Sequence, residues 1–337
     1  MFEQALSGMK DGVLVVDSAD TIIFANPALT AIFSVPHREL IGKRPLEAIR
    51  LVELAELVAE VRASGKPGSK EMRVVYPAEK TLLGSANLAE TENGQGVAVV
   101  VQDISEIKKL ENLRQEFVAN VSHELKTPLT AIKSYAETLL GGAIDDPQNN
   151  RQFLGKIEKN AQDLAALIDD TLELSRLEAH RGLAPFEPVH LEQEIDKALE
   201  TLAPRIKEKM LEVVKQGEAG SCEIAGEPSH IYRALLNLLD NAVKYSNAGG
   251  RIEIACARSV HELRLSVKDY GPGIPAEHHP RLFERFYRVD KARSRELGGT
   301  GLGLSIVKHI MDIHGGKVEM ESKAGEGAMF TLVFPQG

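Results

Sequence analysis

Long apolar runs, clustered cysteines and an excess of basic residues are all missing from this chain of 337 residues. No apolar run reaches the roughly 18 residues that a membrane-spanning helix needs, and no signal peptide is evident. The two cysteines, Cys222 and Cys256, have neither metal-site spacing nor that of a disulfide framework, which favours a reducing compartment. A net charge of −9 argues against a nucleic-acid-binding surface, which needs clustered Lys and Arg. We therefore expect a cytoplasmic chain, either by itself or as the soluble portion of an inner-membrane protein.

The composition is that of an ordinary globular protein, with 43% hydrophobic and 26% charged residues, and the length allows two or three domains. In residues 1–104 the pattern predicts a hairpin near 12–27, helices near 28–34 and 46–63, and strands near 71–76, 80–87 and 95–103. This α+β order resembles a PAS sensor domain, with Asn26 and Pro27 at the entry to the first helix and Asp103 at the exit of the last strand. No haem or flavin ligand set is recognisable, so a structural or dimerising role is as well supported as ligand sensing.

Residues 105–181 are predicted to form two long helices in an antiparallel hairpin. The first runs from about 104 to Gly141 and follows the last strand directly, which makes it a stiff connector. Asp146 and Pro147 predict the start of the second helix, as N-cap and first helical residue. Its apolar stripe contains Phe153, Ile157, Ala161, Leu164, Ile168, Leu172 and Ser175. A hairpin is too thin to bury both helical stripes, so we expect two chains to pair into a four-helix bundle, in preference to packing against the chain's own domains.

One histidine on the first helix is a candidate nucleophile. His123 lies on the solvated side, opposite an apolar row formed by Phe117, Val121 and Leu125. Glu124 follows it and can take the proton from one ring nitrogen, which leaves the other nitrogen as a nucleophile. Pro128 is expected to kink the helix just beyond. Taken alone, this pattern favours an ordinary surface histidine, so the choice depends on the motifs downstream.

Residues 182–337 mix helices and strands in a pattern that predicts an α/β sandwich, with one layer of helices on one sheet. The expected helices lie near 191–209, 228–245 and 302–314, and the strands near 211–215, 251–257, 261–269, 316–321 and 328–334. On the middle helix Asn237, Asn241, Lys244 and Tyr245 share one face. The amide oxygen of Asn241 suits Mg²⁺, which binds through few protein ligands together with phosphate oxygens. Lys244 is long enough to reach those phosphates as a point charge.

Two glycine-rich segments complete a candidate nucleotide site. Asp269 ends a strand and is followed by a turn through Gly271 and Gly273, suited to reading an adenine amino group where the backbone approaches closely. The second segment precedes a helix, so that its N–H groups and the helix dipole can face a polyphosphate. It contains Gly299, Thr300, Gly301, Leu302 and Gly303.

Taken in order, these motifs resemble the N, G1 and G2 boxes of sensor histidine kinases. Residues 283–290 match the F box and residues 117–132 the H box, so the resemblance covers roughly 113–336. It is greatest to membrane-associated phosphate-sensing and related kinases that have a PAS domain before the phosphoacceptor helix. It implies a homodimeric kinase that uses ATP and Mg²⁺ and passes phosphate to an aspartate on a response regulator.

The resemblance also implies residue roles. His123 accepts phosphate, Asn241 binds Mg²⁺, Asp269 contacts adenine, Tyr245 lines the base pocket and Arg288 faces the γ-phosphate, while about 289–300 forms a mobile lid. Glu124 and Thr127 form the Glu-x-x-Thr pattern that in this family marks phosphatase activity toward the regulator. The alternative for Thr127 is a backbone hydrogen bond before Pro128.

An ATPase that activates water and a non-catalytic ATP-binding scaffold are the two alternative functions. The gyrase, mismatch-repair and heat-shock chaperone ATPases of the same fold activate water with a glutamate four residues before the Mg²⁺-binding asparagine. Here that position is Asn237, an amide that cannot act as a base, so hydrolysis lacks its usual proton acceptor. A non-catalytic ATP-binding scaffold would require the loss of a box residue, and none is lost.

Overall fold

The computed structural model describes residues 6, 8–76, 78–92, 94–179, 186–216, 222–290 and 298–336. The chain forms two compact units, Met1–Phe117 and Val118–Gly337. No helix in these described segments is long and apolar enough to cross a membrane.

The first unit has the predicted α+β architecture. Its strands are β1 (Gly12–Val16), β2 (Ile22–Ala25), β3 (Gly68–Val74), β4 (Lys80–Thr91) and β5 (Gly94–Asp103), and its helices are α1 (Pro27–Phe33), α2 (His37–Leu40), α3 (Pro45–Ile49) and α4 (Val52–Ser64). The antiparallel sheet has the order β2-β1-β5-β4-β3. Leu, Val and Ile side chains from the sheet and from α1 and α4 form its core.

Asn26 caps α1 as predicted, and it also ties the helix to the sheet. Its buried Oδ1 accepts hydrogen bonds from the N–H of Leu29 at 3.0 Å and of Val13 at 2.8 Å. Its Nδ2 donates to the carbonyls of Leu6 and Asp11. Pro27 is the first helical residue, where its missing N–H costs nothing.

Helix α5 (Ser105–Leu140) begins directly after β5, as expected. Oδ1 of Asp103 accepts from the Ser105 N–H at 3.0 Å and from its hydroxyl at 2.6 Å. Oγ of Ser105 in turn accepts from the N–H of Thr81 on β4 at 2.9 Å. The first turn of α5 is therefore tied to the sheet without a flexible linker, and the helix continues through Pro128 to its end in the second unit.

Helix α6 (Asn150–Ala179) starts three residues later than predicted. After a 3₁₀ turn (Ala143–Asp145), Asp146 does act as a cap, because its Oδ1 accepts from the N–H of Gln148 at 2.9 Å. The residues that it caps, 147–149, form a turn that leads into the helix. Propensity therefore identified the capping residue, while the helix boundary differs by less than one turn.

Helix α6 has two apolar faces, of which only one was predicted. Ile168 and Leu172 of the predicted stripe are 43% and 51% exposed. A second row, Leu167, Leu174 and Leu177, is buried within the second unit. The chain's own domains therefore cover one face of α6, while Phe153, Ile157 and Leu164 of the predicted stripe are half-buried and its C-terminal part is exposed.

The remainder of the second unit is the expected α/β sandwich. Its helices are α7 (Leu191–Glu208), α8 (Pro228–Tyr245) and α9 (Gly303–Ile313), with a 3₁₀ helix at Ala276–Arg281. Its strands are β6 (Glu187–His190), β7 (Glu212–Gln216), β8 (Glu223–Gly226), β9 (Arg251–Arg258), β10 (Glu262–Asp269), β11 (Lys317–Ser322) and β12 (Ala328–Pro335). The main sheet has the order β11-β12-β10-β9-β7, with only β7 and β9 parallel among its pairs. The small sheet β6-β8 was not predicted, because both strands are only four residues long.

The expectation that the cysteines form no disulfide is wrong. Cys222, just before β8, is bonded to Cys256 on β9, across a sequence separation of 34. Spacing along the chain carries no sign of this pair, because the fold brings β8 and β9 together. The cysteines therefore no longer argue for a reducing compartment.

Candidate active site

Helix α8 positions the first group of predicted site residues. Glu227 caps it by accepting from the N–H of His230 at 3.2 Å, and Pro228 is its first residue. One face is buried against the sheet through Ile231, Ala234, Leu235, Leu238, Leu239, Ala242 and Val243. The opposite face lines a cavity of about 530 Å³.

This cavity collects nearly all of the predicted nucleotide-binding residues. Its lining includes Asn237, Asn241, Lys244, Tyr245, Asp269, Gly273, Arg288, Gly299, Thr300, Gly301 and Gly303. Gly271 and Leu302 do not line it: Gly271 lies in the turn after Asp269, and Leu302 is fully buried at the start of α9. Of the predicted lid at about 289–300, residues 291–297 lie outside the described residues.

Asp269 is a buried carboxylate at one end of the cavity. The N–H of Gly271 donates to its Oδ1 at 2.9 Å. Burial raises the pKa of Asp269, while hydrogen bonds from the backbone of Gly271 and Ala328 act in the opposite direction. No cationic side chain of the described segments pairs with it. Such a group suits a ligand that brings its own hydrogen-bond donor.

Three glycines pack main chain against main chain around Asp269. A Cβ on Gly271 would lie 2.4 Å from the carbonyl oxygen of Tyr245, and one on Gly273 only 2.0 Å from that of Lys323. A Cβ on Gly327 would lie 2.1 Å from the carbonyl oxygen of Asp269 itself. Gly273 and Gly327 also have positive φ angles. None of these three positions can therefore take a larger residue, and Gly273 is the one of the three that lines the cavity.

Lys244, in the last turn of α8, connects that helix to the loop at 298–303. Its Nζ pairs with Oδ2 of Asp240 at 2.6 Å and donates to the carbonyl of Gly298 at 3.2 Å. The ammonium group of Lys244 therefore already holds the loop to the helix, and the predicted contact with phosphate would be an additional interaction of the same group.

The two asparagines of α8 fit a bound Mg²⁺. Asn237 and Asn241 both line the cavity one turn apart, so their amide oxygens are available to it. Nδ2 of Asn237 is buried without a hydrogen-bond partner among the described residues, and this donor suits a phosphate oxygen and not the metal. Within those residues no group of three or more His, Cys, Asp or Glu could hold a metal by itself. Amide oxygens completed by phosphate oxygens are a normal ligand set for Mg²⁺, which would neutralise the charge of a triphosphate.

A second, smaller cavity of about 130 Å³ lies between this site and helix α5. Its lining includes Glu124 and Thr127 of α5, and it shares Arg288 and residues 298–300 with the large cavity. Nη2 of Arg288, whose side chain is 9% exposed, lies 3.2 Å from Oε2 of Glu124. The guanidinium therefore bridges the two cavities.

His123 is 73% exposed, on the solvated side as predicted. Its Nδ1 lies 3.9 Å from Oε1 of Glu124, which is beyond hydrogen-bond distance. Thr127 donates its hydroxyl to the carbonyl of His123 at 3.2 Å, the backbone bond considered as the alternative to a catalytic role. The hydroxyl nevertheless belongs to a residue that lines the small cavity.

Helix α6 contributes residues to the cavity that were not predicted from the sequence. Ala166, Asp169 and Asp170 line the large cavity from that helix. The only signal in the sequence was a carboxylate, Asp170, placed between Leu167 and Leu174 in a row that is otherwise apolar.

Comparison with known families agrees with this geometry. The PAS fold matches residues 1–104, a His Kinase A phospho-acceptor domain matches 113–180, and a histidine kinase-, DNA gyrase B- and HSP90-like ATPase matches 226–337. The sensor-like histidine kinase SenX3 of Mycolicibacterium smegmatis is 33% identical over 338 residues, covering 100% of this chain and 86% of that protein. The chain belongs to the sensor histidine kinase family. It is an ATP-dependent protein-histidine kinase, and the ATPase alternative is not favoured.

Other relatives agree. The sensor histidine kinase WalK of Bacillus subtilis is 32% identical over 332 residues, which are 97% of this chain but 54% of that protein. The chain therefore spans about half the length of that relative. The crystal structure of histidine kinase ThkA in complex with response regulator protein TrrA aligns over 97% of this chain and 96% of that one, with a TM-score of 0.55 and 21% identity. Acinetobacter baumannii AdeS aligns over 63% of this chain and 97% of its own, with a TM-score of 0.51 and 23% identity. These two structures support the fold of the kinase.

Proposed function

We propose that this kinase transfers the γ-phosphoryl group of ATP, bound with Mg²⁺, to His123, and then to an aspartate of a response regulator. The single observation that carries this proposal is the bridge made by Arg288. Its guanidinium lines the nucleotide cavity and also pairs with Glu124, the residue next to His123. This contact supports a position of the residue next to His123 close to the phosphate end of the cavity.

The nucleotide has a defined orientation in this proposal. Asp269 accepts a hydrogen bond from the adenine amino group, and Tyr245 lines the base pocket. The glycine loop, residues 298–303, turns its N–H groups toward the phosphates at the start of α9. Lys244 neutralises their charge, and Asn241 provides the amide oxygen for Mg²⁺, with Asn237 one turn away.

The chemical step requires little more than positioning. Nε2 of His123 attacks the γ-phosphorus, the bond from that phosphorus to the β,γ-bridging oxygen breaks, and ADP leaves with the electron pair. Glu124 faces Nδ1 and receives its proton once a small movement closes the distance of 3.9 Å. Arg288 leaves Glu124 to stabilise the charge on the transferring group.

The kinase works as a homodimer in this proposal, with α5 and α6 of two chains forming a four-helix bundle. Leu129 on α5 and Ile168 and Leu172 on α6 are at least 43% exposed, and a bundle would cover them. Residues 1–104 act as the sensor domain, 105–181 as the dimerisation and phosphotransfer domain, and 182–337 as the catalytic domain. The kinase is also a phosphatase toward its regulator, with Thr127 orienting a water molecule for attack on the phosphoaspartate.

Substitution of the acceptor tests this function. His123→Gln should abolish phosphorylation from γ-labelled ATP while nucleotide affinity is kept, because the acceptor does not line the nucleotide cavity. The exposed His261→Gln is the matched control and should label like the wild type. The label should be acid-labile, as expected for a phosphoramidate. Retained label in His123→Gln, or an acid-stable label on the wild type, would rule out the assignment.

A further inference from the structure

Asp170 connects α6 to both walls of the nucleotide cavity. This carboxylate is nine-tenths buried, in the row of α6 that packs within the second unit. Its Oδ1 pairs with Nη2 of Arg233 at 2.5 Å, and its Oδ2 accepts the hydroxyl of Thr300 at 2.7 Å. Arg233 lies on α8 one turn before Asn237, and Thr300 lies in the glycine loop. A single side chain of α6 thus holds two elements that would surround a triphosphate.

Acidic groups of α6 cluster around Arg233, with Lys244 and Arg176 as further cations nearby. Nε of Arg233 also pairs with Oε2 of Glu173 at 2.6 Å, so two carboxylates share one guanidinium. Asp169, the neighbour of Asp170, lines the same cavity. Burial raises the pKa of both Asp170 and Glu173, which means that their cationic partners do not fully compensate for desolvation.

A triphosphate in this cavity would lie close to Asp169, Asp170 and Thr300, which line it. It carries about three to four negative charges and would compete with Asp170 for the loop around Thr300. The packing of α6 seen here therefore lowers the affinity for a triphosphate. By thermodynamic linkage, a bound triphosphate weakens this packing of α6 to the same extent.

We propose that Asp170 is a positioning residue that couples ATP affinity to the position of α6. While α6 is packed as in this structure, the carboxylate holds the Thr300 hydroxyl and presents negative charge to the phosphates, so ATP binds weakly. When α6 moves away, the loop is released and ATP binds tightly. This inference rests on the proposed function, in which the glycine loop carries the triphosphate.

The test is calorimetric binding to the full chain of two probes, a non-hydrolysable ATP analogue with Mg²⁺ and adenosine. Asp170→Asn keeps the shape of the side chain, removes its charge and leaves one acceptor oxygen for two donors. It should lower the Kd of the analogue by about fivefold and leave that of adenosine unchanged. A damaged fold would weaken binding, so tighter binding distinguishes this role from a merely structural one.

Glu173→Gln is the matched control. It removes the charge of the other α6 carboxylate that pairs with Arg233, but Glu173 neither contacts Thr300 nor lines the cavity. Its Kd for the analogue should stay within about twofold of the wild type. If Asp170→Asn does not fold, Asp170→Ser removes the same charge and keeps an acceptor for Thr300.

Equal or weaker binding of the analogue by folded Asp170→Asn would overturn the inference, and so would an equal gain for adenosine. Because binding is measured without phosphoryl transfer, a failure of the His123 assignment would appear only in the labelling assay. A wild-type chain that bound no analogue would overturn the proposed function and this inference together.

Discussion

Asp269→Asn should make the kinase more stable and nearly unable to bind ATP. The carboxylate is buried, and burial outweighs its two backbone hydrogen bonds, since the net effect is a raised pKa. An amide of the same shape keeps the bond from Gly271 and carries no charge to desolvate. Burying a polar group without full compensation costs on the order of 1 kcal/mol in protein mutational data, and a gain of that order is about 3 °C in the Tm of a domain of this size.

The pH dependence follows from the direction of the shift. Because the folded pKa of Asp269 lies above the unfolded value of 3.8, the ionised side chain destabilises the fold at neutral pH. The advantage of Asp269→Asn is therefore complete at pH 7 and shrinks as the pH falls through the raised pKa toward 3.8. Below that range both chains carry a neutral group.

Scanning calorimetry at pH 7 and at pH 5, together with titration of an ATP analogue, measures both effects. The amide would turn a donor toward the adenine amino group, so affinity should fall roughly a hundredfold. The exposed Asp312→Asn should change neither the Tm nor the affinity. A lower Tm for Asp269→Asn at pH 7 would refute the reasoning, because the fold would then favour the charge.

Two further predictions concern other parts of the chain. Thr127→Ala should keep autophosphorylation and lose regulator dephosphorylation, whereas Glu124→Ala should lose autophosphorylation; dephosphorylation at the wild-type rate by Thr127→Ala would exclude its phosphatase role. Asn26→Ala should destabilise the first unit by about 3 kcal/mol in calorimetry, because it removes a helix cap and leaves the buried N–H of Val13 unpaired. The exposed Asn87→Ala is its control, and equal melting of the two variants would contradict this account.

The elements that depend on local pattern could be predicted from the sequence. Asn26 and Pro27 marked a helix start because capping involves residues only three apart. The α/β sandwich followed from periodicity, as did the apolar stripe of α6. Most residues that were predicted to bind the nucleotide line one cavity, and they could be proposed because each group lies in a short segment with a recognisable chemistry; Gly271 and Leu302 do not line that cavity.

Features that form only when distant parts of the chain come together could not be predicted from the sequence. The bond between Cys222 and Cys256 exists because β8 and β9 are close in space. Asp170, on the second face of α6, has its partners Arg233 and Thr300 only because the fold brings them next to that helix. Periodicity shows that a face is apolar, but it does not identify the partner of a charged residue within that face.

The glycines around Asp269 have a consequence for inhibitors and resistance. A compound confined to this end of the cavity would contact Gly273 and the carboxylate of Asp269, both of which line the cavity. A resistant variant could not block it by enlarging Gly273, because a Cβ there would lie 2.0 Å from the carbonyl oxygen of Lys323. In the proposed function, replacing Asp269 would also remove the hydrogen bond to the adenine of ATP. Resistance would therefore have to arise at other residues that line the cavity.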